Sequence, residues 1–191
     1  MTDVTIFGKG NMGTAIGAVF AEAGADVDYR GSTDAVQPVT GEIVVLAVPH
    51  PAVEGILANY GEAFAGKTVV DITNPLDFET FDSLVVPADS SKAAELAAAL
   101  PESNVLKAFN TNFAATLGAK QVGGQPTTVL VAGDDAEAKA ALIALVQGGG
   151  LAAKDAGSLK RARELEAVGF LQLTLAVTEQ VGWTGGFAVA A

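Results

Sequence analysis

The residues best suited to chemistry lie near the start of the chain. Gly8-Lys9-Gly10-Asn11-Met12-Gly13 follows directly on the apolar run Val4–Phe7 and leads into an Ala-rich, helix-forming stretch. In a strand–turn–helix context this spacing has a mechanical meaning. The first glycine permits the tight turn, the second lets the backbone approach a pyrophosphate, and the third lets the helix lie close to the strand. The pyrophosphate then rests on free N–H groups at the positive end of the helix dipole. A glycine-rich turn without a ligand is the plainer alternative.

The next informative residues stand at the end of the second β-rich run, where dinucleotide folds read the adenosine ribose. An Asp or Glu there would hold a 2′-hydroxyl, whereas a 2′-phosphate needs a cation and hydroxyls. The sequence is Tyr29-Arg30-Gly31-Ser32-Thr33. Arg30 offers a planar fork, and Ser32 and Thr33 offer hydroxyls, so NADP(H) is expected over NAD(H). Two features oppose this: Asp28 shares a strand face with Arg30 and could simply pair with it, and Asp34 stands close enough to disfavour a phosphate. Two further strand ends, Val48-Pro49-His50 and Asn74-Pro75, should face the same crevice, since ligands of open α/β sheets bind at the carboxyl ends of the strands. Asn74 could hydrogen-bond a ribose or a carboxamide, or could merely start a turn. His50 could line the nicotinamide site, although a loop histidine satisfied by backbone is the commoner case.

Composition narrows the remaining chemistry. There is no cysteine and only one histidine, which removes thiolate and multi-histidine metal sites. The formal net charge of −11 argues against nucleic acid or an anionic membrane as partner. Residues 1–66 hold eight acids and only two bases, Lys9 and Arg30, and both fall where a phosphate would want them. Half the residues are apolar and 17% are charged, the balance of a folded chain. The start carries no signal-like segment and no apolar run approaches a membrane span, so a cytoplasmic location is expected.

The elements that must position these residues alternate. Strands are expected at Val4–Phe7, Val27–Arg30, Glu42–Val48, Thr68–Thr73, Val105–Phe109, Thr127–Ala132 and Ala152–Lys154. Helices are expected from the glycine turn to about Ala23, at Ala52–Ala63, from Ser90 or Ser91 to about Leu100, at Ala136–Gln147, and from Lys160 to about Val181. This order predicts an α/β fold of Rossmann type with a mostly parallel sheet. It reads as one dinucleotide-binding domain spanning 1–191, with a small C-terminal helical extension. The connection 31–41, which contains Pro38, is too short for a full crossover helix, so the second crossover should be vestigial. The last helix is apolar around much of its circumference (Leu165, Val168, Phe170, Leu171, Leu173, Leu175, Val177, Val181). It should therefore close the core or meet a second subunit.

With these stations in place the chain resembles the NADP-dependent oxidoreductases that exchange hydride with the deazaflavin coenzyme F-420. It is also similar to the cytosolic oxidoreductase domain of STEAP-type metalloreductases. The resemblance is carried by Gly8–Gly13, Gly31-Ser32, Leu46–Pro49, Val70–Pro75, Lys107–Thr111, Val131–Asp134, and Asp155–Leu159 leading into Glu164-Leu165-Glu166. It implies NADP(H) as cofactor, a flavin-like or deazaflavin acceptor and a homodimer. It also implies that Ser32 and Thr33 lie at the 2′-phosphate, Val48, Pro49 and Asn74 along the cofactor, and Phe109 and Asn110 near the nicotinamide. Where the family has a basic residue after Gly-Ser this chain has Thr33, so either Arg30 compensates or the preference for NADP(H) weakens.

Hydride transfer between a nicotinamide and a flavin-like ring asks little of a protein beyond stacking and orientation. That suits a sequence with no evident nucleophile–base pair. Lys107 is the one lysine expected near the cleft, with its amine at the surface. Two classes stand open: an NADPH-dependent reductase, and a non-catalytic protein that binds or senses NADP(H).

Overall fold

The structure, a computed structural model, describes residues 2–190. A seven-stranded sheet forms its centre. The strands are β1 (Asp3–Phe7), β2 (Asp26–Arg30), β3 (Ile43–Leu46), β4 (Thr68–Asp71), β5 (Asn104–Lys107), β8 (Thr128–Gly133) and β9 (Ala152–Gly157), and β6 (Gln121–Val122) and β7 (Gln125–Pro126) make a separate hairpin. The order across the sheet is β2-β1-β3-β4-β5-β8-β9, parallel throughout except between β5 and β8. The helices are α1 (Asn11–Glu22), α2 (Val53–Tyr60), α3 (Lys92–Ala99), α4 (Ala114–Ala119), α5 (Ala136–Gly148) and α6 (Ala162–Val177). The order reverses between β1 and β3, so the switch point lies beside the glycine turn.

Burial on both faces explains the nearly unbroken apolar runs of the central strands. Val45, Val70 and Leu106 join Ile16, Phe20 and Leu142 in one layer, while Val44, Val69 and Val105 join Phe64 and Leu96 in the other. The expected connection between β2 and β3 holds no helix, and β2 is left as an edge strand with half-buried side chains. The Gly41 N–H donates to Thr5 Oγ1 at 3.2 Å and Lys67 Nζ donates to the Gly41 carbonyl at 2.8 Å, which fixes the chain as it enters β3.

Several boundaries differ from the sequence reading. The helix expected at 52–63 is α2 flanked by tight 3-10 turns at His50–Ala52 and Gly61–Phe64. Neither α4 nor the β6–β7 hairpin was anticipated. α4 has six residues, no side-chain cap, and an end forced by Lys120 in the left-handed region (φ 58°), too little for a periodicity to register. The last helix stops at Val177 rather than Val181, with Glu179 left-handed (φ 59°) just beyond. No helix among the described residues is long and apolar enough to cross a membrane.

The packing of α6 inverts the usual amphipathic rule. Its buried residues include Glu166, Gly169 and Gln172, while Val168, Leu171 and Val177 are exposed. The polar residues face inward because each meets a specific partner. Gln172 donates to the Thr111 carbonyl at 3.1 Å and accepts from the Phe187 N–H at 2.9 Å, pinning the tail.

Glu166 joins a buried ionic cluster centred on Lys107, which is fully buried rather than at the surface. Lys107 Nζ lies 2.8 Å from Asp71 Oδ2 and 2.8 Å from Glu166 Oε1, and also donates to the Thr73 carbonyl. The expectation of an exposed amine fails because Lys107 and Asp71 are register partners at adjacent strand ends, under the start of α6. Glu166 also accepts the Lys92 N–H at 2.9 Å and the Ala93 N–H at 3.3 Å, capping α3 alongside Ser91. Burial raises the Glu166 carboxyl pKa above its ordinary 4.5, with Lys107 opposing the shift. Lys107→Met leaves two buried carboxylates without their cation and should cost about 3–5 kcal/mol in urea unfolding. An acid whose folded pKa is raised favours the fold below its unfolded value and loses that contribution as pH rises through the folded one. Glu166→Gln should therefore gain stability relative to wild type as pH climbs above 4.5, read from urea midpoints across a pH series.

Candidate dinucleotide and acceptor site

The turn between β1 and α1 is shaped by contacts that only glycine allows. Gly8 adopts φ +118°, its N–H donates to the Arg30 carbonyl at 2.8 Å, and a Cβ there would overlap the Ala47 carbonyl. A Cβ on Gly13 would overlap the Gly8 carbonyl, so helix and turn are in direct contact. Gly10 caps α1 with open space around it. No side chain caps the N-terminus of α1 and no acid stands in its first turn. The result is a bare set of N–H donors facing the carboxyl ends of the strands, the cradle that a pyrophosphate requires.

Two cavities flank this turn. One, of about 730 Å³, is lined by Gly8, Lys9, Gly10, Arg30, Ser32 and Thr33 on one side and by Val48, Pro49, Ile56 and Tyr60 on the other. The other, of about 370 Å³, is lined by Asn11, Met12, Asn74, Phe109, Asn110, Phe113, Leu173 and Trp183 among others. Of the residues singled out from sequence, Gly8, Lys9, Gly10, Arg30, Ser32, Thr33, Val48 and Pro49 thus converge on the first cavity. Asn11, Met12, Asn74, Phe109 and Asn110 converge on the second.

Three others, Gly13, His50 and Pro75, lie off both walls. His50 opens the 3-10 turn after Pro49 and stacks on Phe78, with centroids 6.1 Å apart and planes at 15°. Desolvation, and after it the charge of Lys92, lowers its pKa, so the ring is neutral at neutral pH. Pro75 is buried, and its carbonyl accepts the Val85 N–H at 2.7 Å, which ties down the loop before α3.

The charged groups of the first cavity are already engaged. Arg30 meets Asp28 through both guanidinium nitrogens, at 2.6 and 3.0 Å, and donates to the Pro38 carbonyl at 3.2 Å. Pairing with Asp28, the alternative visible in the sequence, is therefore the arrangement adopted. Lys9 Nζ lies 2.7 Å from Asp34 Oδ2, and the same oxygen accepts the Gly31 N–H at 2.7 Å. Those two hydrogen bonds hold the Asp34 carboxyl below its usual pKa. Sequence reasoning placed Lys9 in the turn but could not foresee its partner, which lies across the loop.

The second cavity is built on a paired asparagine floor. Asn74 Nδ2 donates to the Asn110 carbonyl at 2.8 Å, while Asn110 Nδ2 donates to Asn74 Oδ1 at 2.9 Å and to the Leu165 carbonyl at 2.7 Å. A Cβ on Gly169 would overlap Asn74 Oδ1, so α6 rests directly on this pair. Asn110 Oδ1 and Asn112 Oδ1 are buried with no hydrogen-bond partner among the described residues. Phe109 is fully buried in the left-handed region (φ 61°) and meets Phe20 edge-on at 5.8 Å. A non-glycine residue in that region is strained and needs its surroundings to hold it. Trp183, the sole tryptophan, leans on Phe113 with centroids 5.1 Å apart and is half-exposed at the mouth. Trp183 falls in a glycine-rich tail (Gly182, Gly185, Gly186), and nothing in the sequence ties it to this cavity.

Comparison with known proteins bears on the same site. No protein-family model matches the chain. It is 30% identical over 171 residues to the F420-dependent NADP reductase of Methanocaldococcus jannaschii, covering 87% of this chain and 76% of that protein. It is 36% identical over 112 residues to metalloreductase STEAP3 of Rattus norvegicus, a match that spans 59% of this chain but 22% of the relative. Among solved structures, a candidate F420-dependent NADP reductase from Arthrobacter sp. FB24 superposes with a TM-score of 0.84 at 24% identity, covering 98% of this chain and 99% of that one. The pyrroline carboxylate reductase of Plasmodium falciparum, solved with NADP bound, shares the fold at a TM-score of 0.60 and 13% identity, over 93% of this chain and 67% of its own. The extent and identity of the Methanocaldococcus match show that the chain belongs to the family of F420-dependent NADP reductases.

Proposed function

We propose that this protein transfers hydride between NADP(H) and a deazaflavin or flavin-like acceptor, with the dinucleotide laid across the glycine turn. One arrangement carries the reading: an uncapped helix N-terminus stands between two cavities, one lined by Lys9, Ser32 and Thr33 and the other by apolar and amide groups. The N–H groups of Asn11, Met12 and Gly13 hold the pyrophosphate, and Gly10 leaves room for its approach. Ser32, Thr33 and Lys9 receive the 2′-phosphate, while Val48 and Pro49 form a rigid wall along the sugars. Asn74 and Asn110 lie beside the nicotinamide, where the free Asn110 Oδ1 accepts from its carboxamide. Bound there, the nicotinamide supplies or accepts a hydride and needs no proton relay from the protein. The chain contributes orientation: Met12, Phe113, Leu173 and Trp183 enclose the apolar cavity, exclude water and leave a face for the acceptor ring. A protein that only senses NADP(H) needs no room beyond the nicotinamide, so the face left for an acceptor ring favours a reductase.

The homodimer belongs to the same reading. Val168, Leu171 and Val177 on α6, with Trp183, Phe187 and Val189 in the tail, expose an apolar surface beside the acceptor cavity. A second copy covering it would shelter those side chains and border the cavity.

In a steady-state assay, NADPH should be oxidised when the deazaflavin coenzyme is present, more slowly with NADH, and not without an acceptor. Absence of turnover alongside tight NADPH binding would favour the sensing role instead. Titration with the deazaflavin should quench the fluorescence of Trp183, and Trp183→Ala should raise the acceptor KM several-fold with a smaller effect on kcat. Leu171→Arg should shift the mass measured by light scattering from two chains to one. A wild-type monomer would refute the dimer.

A further inference from the structure

The carboxylate of Asp34 stands where an anionic ligand would be expected. It is held by the Lys9 ammonium and the Gly31 backbone N–H, each at 2.7 Å, at the carboxyl end of β2. The hydroxyls of Ser32 and Thr33 in the same turn make no hydrogen bond among the described residues, and both line the first cavity with Lys9 and Asp34. The Lys9 cation and the Gly31 N–H converge on one oxygen, and two spare hydroxyls stand in the same turn, the ingredients of an anion site. It is filled by the chain's own side chain. Arg30 cannot serve as a second cation in this state, because Asp28 and the Pro38 carbonyl already hold it.

We propose that Asp34 is an internal surrogate for the 2′-phosphate, and that it sets the balance between NADP(H) and NAD(H) by competing for Lys9 and Gly31. The proposal rests on the dinucleotide reading above. For NADP(H) to bind, Asp34 must give up both donors and move away, since a carboxylate and a phosphate of charge near −2 repel at this range. The move is structurally cheap. Residues 32–38 are exposed, the Lys9–Asp34 pair is itself half-exposed, and such pairs add little stability. With NAD(H) the outcome is reversed. Asp34 can stay on its donors and accept the ribose 2′-hydroxyl, as an acid at this strand end does in NAD-binding folds. One side chain therefore penalises the phosphorylated dinucleotide and favours the plain one.

The test is calorimetric titration of NADPH and NADH into wild type, Asp34→Ser, Asp34→Asn and Lys9→Met, with thermal melts confirming that each variant folds. Asp34→Ser should raise NADPH affinity by about tenfold while NADH affinity holds or falls, so the two constants move apart. Asp34→Asn keeps the shape and removes the charge, and should reproduce most of that gain. Lys9→Met should weaken NADPH binding, and adding Asp34→Ser to it should recover little, because the contested cation is gone. If Asp34→Ser leaves the NADPH/NADH ratio within twofold while wild type still binds NADPH, the surrogate is refuted and the dinucleotide reading stands. If wild type binds neither dinucleotide, both fall.

Discussion

A lysine ammonium with no exposed surface can persist only if carboxylates come to it, and here two do, from different elements. Lys107 ends β5, Asp71 ends β4 as its register partner, and Glu166 reaches down from α6. Because Glu166 also caps α3, one ionic cluster fixes two strand ends and two helices relative to one another. Two acids against one base leave an excess negative charge, and the N-terminal N–H groups of α3 are the dipole that offsets it. Thr73, whose carbonyl Lys107 holds, leads straight into Asn74. The asparagine floor of the acceptor cavity is thus set by a buried electrostatic clamp just beneath it.

The same clamp explains why α6 faces the way it does. A helix oriented by hydrophobicity alone would bury Val168 and Leu171 and expose Glu166 and Gln172. Burying Glu166 away from Lys107 would cost several kcal/mol, and exposing it would leave the buried lysine with Asp71 alone, whereas leaving two aliphatic side chains in water costs roughly 1.5–3 kcal/mol each. Electrostatics therefore fixes the rotation of the helix, with Gln172 and the close approach at Gly169 supporting it. The apolar stripe is turned outward, beside the cavity mouth.

Much of the fold could be read from the residues because its strongest signals are local. The glycine turn, the apolar strands buried on both faces, the Ser91 and Asp135 caps and the missing crossover helix after β2 each depend on short stretches of chain. The candidate site was legible as a set of strand ends for the same reason, since the carboxyl edge of a parallel sheet is one surface. What escaped was long-range or too short to show periodicity. α4 has a single turn and a half, and Lys107 looked like a surface amine because its partners lie 36 and 59 positions away along the chain. The apolar residues of α6 suggested either burial or a partner, and the inward position of Glu166 leaves Val168, Leu171 and Val177 exposed.

The strong acidity of the chain makes the phosphate end of the site the most finely balanced part of the molecule. A ligand carrying several negative charges meets a protein of net charge −11, with Arg30 already paired and Lys9 the cation left beside the turn. Distant acids matter little, because salt screens them beyond about 8 Å. On the proposed reading, binding then depends on donors in direct contact: the uncapped N–H groups of α1, the Gly31 N–H, two hydroxyls and one ammonium. The α1 donors see the pyrophosphate common to both dinucleotides and cannot tell them apart. Discrimination falls to the few groups at the end of β2, and there an aspartate already holds two of them. A basic protein could absorb one misplaced carboxylate without changing its preference. In this one, a single carboxylate is comparable to the whole local positive charge, which is why the proposed surrogate would make cofactor choice depend on what occupies Lys9.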